Sequence, residues 1–293
     1  MTLARHSTVA ARVAEAQARC DARRESAEVE QMFLPGLDPE LRAMPNHVAR
    51  SSIFAPIARG RKLYHNQTIL VSRSDATITY TGQQLDEGHA DAWMQLVYEA
   101  KDAPLGQSVV INRAAFLRAI GRGTSCRDYD WLELTMIVFT AATIVIETRK
   151  PDGARKYLVG DLKAFHMLAD FNYDADTRTY TFTIDPRWKK LFGGREFALI
   201  DWEKRLEIAQ GQHMAKALQR LAATSADLVQ RYALDWLREK LQYTSPIRKF
   251  RESLTASMRE LERVGVISGG RIERSTKGRE QAAWTKLARE GCR

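Results

Sequence analysis

Apolar residues between positions 86 and 140 recur at helical spacing in three consecutive stretches. A short run of β-branched residues lies between the first two stretches and predicts a strand. Asn112 and Ser125 stand just before the second and third helices and carry side chains suited to N-cap positions. The predicted elements are a helix from Asp86 to Ala100, a strand from Gln107 to Ile111, and helices from Arg113 to Ile120 and from Ser125 to Thr140.

Apolar and polar residues alternate before and after these helices, as is typical of strands. Two of the later strands flank Pro151-Asp-Gly, a strong turn sequence. Helix, strand, helix, helix, strand, turn and strand is the winged-helix order, in which a β-hairpin wing follows a helix-turn-helix. The predicted strands are Ile69 to Arg73, Thr77 to Thr81, Thr143 to Glu147, Lys156 to Val159 and Thr179 to Ile184.

The second half of the chain repeats this order without residue-level similarity. Its pattern predicts helices from His213 to Ala222, from Ala233 to Gln242 and from Ser245 to Val264. Strands from Arg271 to Arg274 and from Ala282 to Thr285 follow, with a basic turn between them. The predicted fold class is therefore α+β, with tandem winged-helix domains.

The N-terminal part of the chain differs from both halves. Residues 1–30 favour helix by propensity but hold few large apolar residues, so we expect a frayed helix or disorder. Residues 31–62 contain several prolines and predict an irregular arm. The first winged-helix domain is predicted over residues 63–192 and the second over 193–293.

Positive charge is concentrated at the end of the chain. The formal net charge is +9, and residues 245–293 hold twelve basic and six acidic residues. A local positive field of this kind favours a polyanionic partner. The alternative is a solvated basic tail.

The helix from Ser245 to Val264 is the best candidate for reading DNA. Its apolar residues lie on one face, and the opposite face is basic. Arginine can contact guanine and glutamate can accept from cytosine, whereas cations on a following wing would hold phosphates. The alternative is an ordinary surface helix. Candidate DNA-binding residues are Ser245, Arg248, Lys249, Glu252, Thr255 and Arg259 on the helix, with Arg271, Arg274 and Lys277 on the wing.

The corresponding helix of the first domain, from Ser125 to Thr140, is apolar nearly all round. Helices of this kind are buried on more than one side. Contact with a second domain or subunit and a large local core explain this composition equally well. Near its start, Arg122, Arg127 and Tyr129 are candidate DNA contacts, and Trp131, Leu134 and Val138 are candidate dimer or interdomain contacts.

Three segments resemble the TrfA family of plasmid replication initiators: Leu41-Arg-Ala-Met-Pro-Asn-His-Val-Ala-Arg-Ser-Ser-Ile-Phe, Ile78-Thr-Tyr-Thr-Gly and Leu105-Gly-Gln-Ser-Val. The similarity runs from about Gln31 through the second domain and is clearest over residues 41–140. It implies a tandem winged-helix protein that binds direct repeats, called iterons, at a plasmid origin. It also implies active monomers in equilibrium with restraining dimers, opening of an AT-rich stretch, and recruitment of the host replicative helicase and sliding clamp.

Family members contact the sliding clamp through a short peptide of the type Gln-Leu-Ser-Leu-Phe. The corresponding residues here are Gln31, Met32, Phe33 and Leu34, and Pro35 replaces the final aromatic residue. The alternative is a segment that folds back on its own domain.

Motifs for catalysis are missing from the sequence. It contains neither a P-loop nor a His-Glu-x-x-His sequence, and Asp128, Asp130 and Glu133 around Tyr129 fit the start of a helix better than a metal or nucleophile site. We therefore expect a non-enzyme without metal or cofactor. Three scattered cysteines and the lack of a long apolar run indicate a cytoplasmic protein with free thiols, associated with plasmid or nucleoid. The alternatives are a winged-helix transcriptional regulator and a DNA-nicking initiator or recombinase.

Overall fold

The computed structural model describes residue 34 and residues 37–57, 62–73, 76–104, 106–149, 155–159, 164–193 and 196–288, with backbone elements alone from 149 to 159. The buried apolar side chains in these ranges form two separate clusters. One cluster ends at Trp202 and the other begins at Ile208. We refer to the described residues of 34–202 as the first unit and to those of 208–288 as the second unit.

The first unit combines helices with several small sheets. Its helices are α1 (Asn46–Ala49), α2 (Glu87–Glu99), α3 (Arg113–Ala119), α4 (Cys126–Ala141) and α5 (Lys189–Phe192). Its strands are β1 (Leu41–Pro45), β2 (Phe54–Ala55), β3 (Tyr64–Leu70), β4 (Ala76–Gln83), β5 (Leu85–Asp86), β6 (Val109–Asn112), β7 (Thr143–Arg149), β8 (Arg155–Val159), β9 (Leu168–Asp174), β10 (Thr179–Ile184) and β11 (Phe197–Asp201).

Helix α6 (Trp202–Glu207) connects this unit to the second. The second unit consists of α7 (His213–Ala223), β12 (Val229–Ala233), α8 (Leu234–Lys240), α9 (Ile247–Arg263), β13 (Ile267–Arg274) and β14 (Glu280–Lys286). Within the described ranges, no helix is long and apolar enough to cross a membrane.

Both units contain the same succession of helix, strand, helix, helix and antiparallel strand pair. In the first unit this is α2, β6, α3, α4, β9 and β10, with sheet order β6-β10-β9. In the second unit it is α7, β12, α8, α9, β13 and β14, with sheet order β12-β14-β13. In each sheet the first strand pairs with the last, so the two units share one topology.

The hairpin predicted as the first wing belongs to a different sheet. Strands β7 and β8 do pair with each other, but they extend the order β3-β4-β7-β8. The buried side chains of Ile144 and Ile146 stand opposite Tyr80 and Ile78 of β4, so β7 completes the core on that side. The hairpin that pairs with β6 is β9–β10, and not the predicted hairpin of β7 and β8.

The predicted irregular arm is also wrong over residues 37–57. Strand β1 pairs antiparallel with β11, and β2 pairs parallel with β5. Pro45 ends β1 and is the N-cap residue of α1, and Pro56 follows β2. The prolines thus bound elements of structure instead of preventing them.

The boundary between the units lies further along the chain than residue 193. Strand β11 is held in the first unit by β1. The indole Nε1 of Trp202 donates to the Ala119 carbonyl at 2.9 Å, and its ring belongs to the first apolar cluster. The second core begins only at Ile208. Residues 1–30, and the turn predicted at Pro151-Asp-Gly, lie outside the described residues.

A buried ionic network joins the two units. Arg205 on α6 binds Glu87 on α2 at 2.9 Å and also hydrogen-bonds Asp91 one turn further along α2. Arg220 on α7 binds the other oxygen of Glu87, and Lys216 reaches Asp91 at 2.7 Å. The side chains of Glu87, Arg205 and Arg220 are fully buried. Pairing of this kind is required because isolated charges are very costly to bury.

Lys240 at the end of α8 lies next to this network. Its ammonium group donates to the Ser51 carbonyl of the first unit at 3.2 Å. The pKa of Lys240 is lowered to about 7, mainly by burial and also by the positive charge of Arg220, while Glu87 partly offsets these effects.

Replacing Glu87 with Ala would leave Arg205 and Arg220 buried without the carboxylate that they share. We expect the free energy of unfolding to fall by about 3–5 kcal/mol, because the remaining charges are uncompensated. Urea denaturation would measure this change. The control is Glu252→Ala, because Glu252 pairs with Arg248 at 3.7 Å on an exposed helix face and such pairs contribute about 0.5 kcal/mol or less. Equal losses in both variants would contradict the role given to the network.

Candidate nucleic-acid interface

Helix α9 is held in place by its apolar face. Phe250, Leu254, Met258 and Leu261 are buried, and the helix packs against α7 and β13. The opposite face is exposed to solvent. It carries Arg248, Lys249, Glu252, Arg259 and Arg263.

The start of this helix differs from the prediction. Pro246, not Ser245, is the N-cap residue, and no side chain caps the first turn. Pro246 is extended, with φ −53° and ψ 150°, and has no side-chain acceptor for the first amides. The Ser245 carbonyl accepts from Arg238 at 3.1 Å, which fixes the turn between α8 and α9.

The predicted contact residues of α9 fall into two groups. Arg248, Lys249, Glu252 and Arg259 are exposed together on the solvent face. Ser245 and Thr255 are partly buried at its edge. Arg251 binds Glu280 of β14, so this arginine braces the helix against the hairpin.

The β13–β14 hairpin continues the basic surface beyond the helix. Arg274, Lys277 and Arg279 are exposed around a tight turn in which Ser275 donates to the Arg279 carbonyl at 2.8 Å. Gly278 occupies that turn with φ +74°, a conformation that favours glycine. Arg271 is also exposed, but it donates to Glu273 at 2.7 Å. Hydrogen bonds from Gln281 and Arg271 lower the pKa of the Glu273 carboxyl.

Two glycines that the sequence reading did not single out set the distance between α9 and the hairpin. Gly269 has φ +63°, and the register of β13 shifts between Ser268 and Arg271, as in a β-bulge. The Gly270 amide donates to Glu262 of α9 at 2.8 Å. A Cβ atom at Gly270 would lie 2.9 Å from the Cβ of Met258. In the sequence, the signal for this close approach of helix and hairpin is the Gly-Gly pair that follows a long amphipathic helix.

The first-unit candidates are engaged within their own unit. The Arg122 guanidinium lies 3.4 Å from the centre of the Trp131 ring and 4.0 Å from Asp128. Tyr129 stacks under Arg113, at 4.2 Å from the guanidinium carbon to the ring centre. Arg127 is exposed.

Helix α4 is buried on one side, not on several. Val138 lies in the core of the first unit, and Trp131 packs beside His89 of α2. Leu134 is 53% exposed and Ile137 is 46% exposed. Glu87 and Asp91 of α2 make charged contacts between the units, but these contacts do not test the interdomain role predicted for Trp131, Leu134 and Val138. The dimer role stays a prediction.

Asp128 serves the start of α4. Its carboxylate accepts from the Ser125 amide at 3.1 Å and from the Ser125 hydroxyl at 2.6 Å. The hydrogen bond from that hydroxyl lowers the pKa of Asp128. Among the described residues, no group of three or more His, Cys, Asp and Glu side chains is placed to hold a metal ion. Cys126 is an exposed free thiol.

Leu34 is the described member of the predicted clamp peptide; Gln31, Met32 and Phe33 lie outside the described residues. Its side chain is 8% exposed and belongs to the first apolar cluster. Its amide donates to the Lys101 carbonyl at 3.2 Å. In this arrangement Leu34 contacts its own unit, as in the fold-back alternative.

Fold and surface together define an α+β protein of two topologically similar units, the second with an exposed basic helix and hairpin. The model of the TrfA protein family matches residues 5–274. The chain therefore belongs to the TrfA family, the family of plasmid replication initiators that its motifs indicated. The match starts before Gln31, where the motifs had suggested a beginning, and it ends at the last residue of β13.

Two solved structures of domains 2 and 3 of RctB share the fold. The selenomethionine derivative has a TM-score of 0.53 and 13% identity, covering 84% of this chain and 99% of that chain. The other has a TM-score of 0.50 and 11% identity, covering 83% of this chain and 97% of that chain. A comparison with curated proteins gives no match.

Replacing Gly270 with Ala should push β13 away from α9, because the new methyl group would meet the Met258 side chain. We expect a destabilisation of about 1–3 kcal/mol, as for other overpacked sites, measured by thermal or urea denaturation. Gly193→Ala is the matched control, since Gly193 has a φ of −61° and open space around it. Unchanged stability of Gly270→Ala would show that the hairpin tolerates a larger separation from the helix.

Proposed function

We propose that the protein is a non-enzymatic initiator that binds direct repeats at a plasmid origin, and that both units are winged-helix domains. The exposed face of α9 and the adjacent β13–β14 hairpin carry this proposal. Residues 245–288 hold ten basic and five acidic residues, and the exposed cations lie on the helix face and hairpin turn. The repeated order of helix, strand, helix, helix and hairpin fits the winged-helix arrangement.

In this proposal the first turns of α9 enter the major groove. Arg248 and Lys249 would contact base edges, with guanine as the favoured partner of arginine, and Glu252 would accept from cytosine. Arg259, Arg271, Arg274 and Lys277 would contact phosphates on either side. Thr255 and Ser245 border the contact surface and would contribute at its edge. In the first unit, Arg127 keeps a role as a candidate phosphate contact, whereas Arg122 and Tyr129 would first have to leave their stacked partners.

The partners proposed beyond DNA rest on family membership. They are the host replicative helicase, the host sliding clamp, and a second copy in equilibrium with the active monomer. Opening of an AT-rich stretch would follow binding. The proposed location is the bacterial cytoplasm, on plasmid or nucleoid DNA.

Arg248→Ala and Lys249→Ala should each weaken binding to the cognate repeat. The loss of discrimination against unrelated duplex should be about 1–3 kcal/mol, the usual contribution of a base-reading side chain. Fluorescence anisotropy at fixed salt would measure it, because phosphate contacts make affinity depend on salt. Lys190→Ala, which removes an exposed cation from the first unit, is the control.

Assays of plasmid replication and DNA cleavage separate the proposed function from its alternatives. A plasmid carrying only this gene and its repeats should replicate with the natural protein and fail with Arg248→Ala/Lys249→Ala. Repeat binding without replication by the natural protein would indicate a transcriptional regulator. Cleavage of supercoiled origin DNA by the purified protein would indicate a nicking enzyme. Unchanged repeat affinity in both variants would remove α9 from the interface.

Gln31→Ala should reduce retention of the protein on immobilised host sliding clamp and leave repeat binding unchanged. We expect a loss of about tenfold or more, since a glutamine anchor supplies specific hydrogen bonds to the partner. Leu34→Ala is less suitable as a first test, because it would open a cavity in the first core and cost about 2–5 kcal/mol of stability. Full retention of Gln31→Ala on the clamp would exclude the peptide assignment.

A further inference from the structure

The two units present opposite charges at the same place in their common topology. Helix α4 of the first unit corresponds to α9 of the second. α4 carries one arginine and three carboxylates, whereas α9 carries five cations and three carboxylates. The net charges are therefore −2 and +2.

The turns of the hairpins next to these helices differ in charge in the same direction. The turn between β9 and β10 reads Asp174-Ala-Asp-Thr-Arg, with two carboxylates and one arginine. The turn between β13 and β14 reads Arg274-Ser-Thr-Lys-Gly-Arg, with three cations and no carboxylate. Asp174, Asp176 and Arg178 are all exposed.

The carboxylates of α4 lie on its exposed face. Asp130 and Glu133 are exposed there. Burial raises the pKa of Tyr180 on β10, and the Glu133 carboxylate raises it further, while Arg113 lowers it. Helix α4 packs against β9, so the helix face and the hairpin belong to one surface. Arg127 and Arg178 are also exposed here, so four carboxylates and two arginines give this surface a net charge of −2. It would therefore attract phosphates less than the basic surface of the second unit does.

Apolar side chains continue the same face of α4. Leu134 and Ile137, each about half exposed, follow Asp130 and Glu133 at helical spacing. Large apolar side chains beside carboxylates suit a protein partner that is apolar in the middle and positively charged at its edge. We name the surface formed by Asp130, Glu133, Leu134, Ile137, Asp174 and Asp176 the acidic face.

We propose that the acidic face docks a basic amphipathic helix of another protein. Leu134 and Ile137 would contact the apolar side of that helix. Asp130, Glu133 and the hairpin carboxylates would pair with its lysines and arginines. In this proposal the two units bind different kinds of partner. The second unit would bind a polyanion, and the first would bind a positively charged helix. This inference stands on the charges and exposure of the first unit, and it does not require that the second unit bind origin repeats.

The test uses the full chain and a synthetic helical peptide about five turns long, with leucines on one side and lysines on the other. Isothermal titration should show binding to the natural protein. Glu133→Gln/Leu134→Ser should weaken it by about tenfold or more, since both an apolar anchor and its neighbouring charge are lost. Glu203→Gln/Leu206→Ser removes another exposed pair, on α6, and should bind as the natural protein does.

Several outcomes would overturn the proposal. Equal binding of a peptide with glutamine in place of leucine would show simple charge attraction. A changed affinity for duplex DNA in the acidic-face variant alone would make the surface a DNA contact. A changed self-association in sedimentation, again in that variant alone, would assign it to a second copy. Should the double variant not unfold cooperatively in urea, Glu133→Gln alone serves the same comparison, with Glu203→Gln as its control.

Discussion

The arrangement of the whole molecule depends on one carboxylate, Glu87, which is buried between Arg205 and Arg220. The carboxylate belongs to the first unit, and the two guanidinium groups come from the connecting helix and from the first helix of the second unit. Charges in a low-dielectric interior are tolerated only in the geometry that pairs them. A rotation of one unit against the other would break this pairing, so the network selects one relative orientation even if its net contribution to stability is modest.

A fixed orientation allows two similar units to take different tasks. Each unit buries the inner face of its long helix, and that requirement leaves only the outer face free to vary. In the second unit the outer face and hairpin are basic, whereas in the first they are acidic and partly apolar. Similar topology therefore does not imply similar partners, because partners are selected by the residues that the core does not constrain.

Local signals made part of this structure predictable from the sequence. The spacing of Phe250, Leu254, Met258 and Leu261 was enough to define α9 and its basic face. The position of Ser125 likewise gave the start of α4. What could not be predicted depends on residues far apart in the chain. Nothing local to Ile146 shows that β7 pairs with β4 and not with β6, and β1 is ordered by β11, more than a hundred residues away. Glu87 and Asp91 resemble ordinary helix-surface charges until their partners on α6 and α7 are placed beside them.

The position of Lys240 shows how closely the charges between the units are balanced. Arg205, Arg220 and Lys216 already pair with Glu87 and Asp91. Burial, together with the positive charge of Arg220, lowers the pKa of Lys240 to about 7. The amine nevertheless contacts the Ser51 carbonyl of the first unit, which ties α8 to that unit as well. Because α9 follows α8 across a turn held by Arg238, the orientation set at the buried network extends to the basic helix itself. DNA bound at α9 would then place the acidic face at a constant position relative to the duplex.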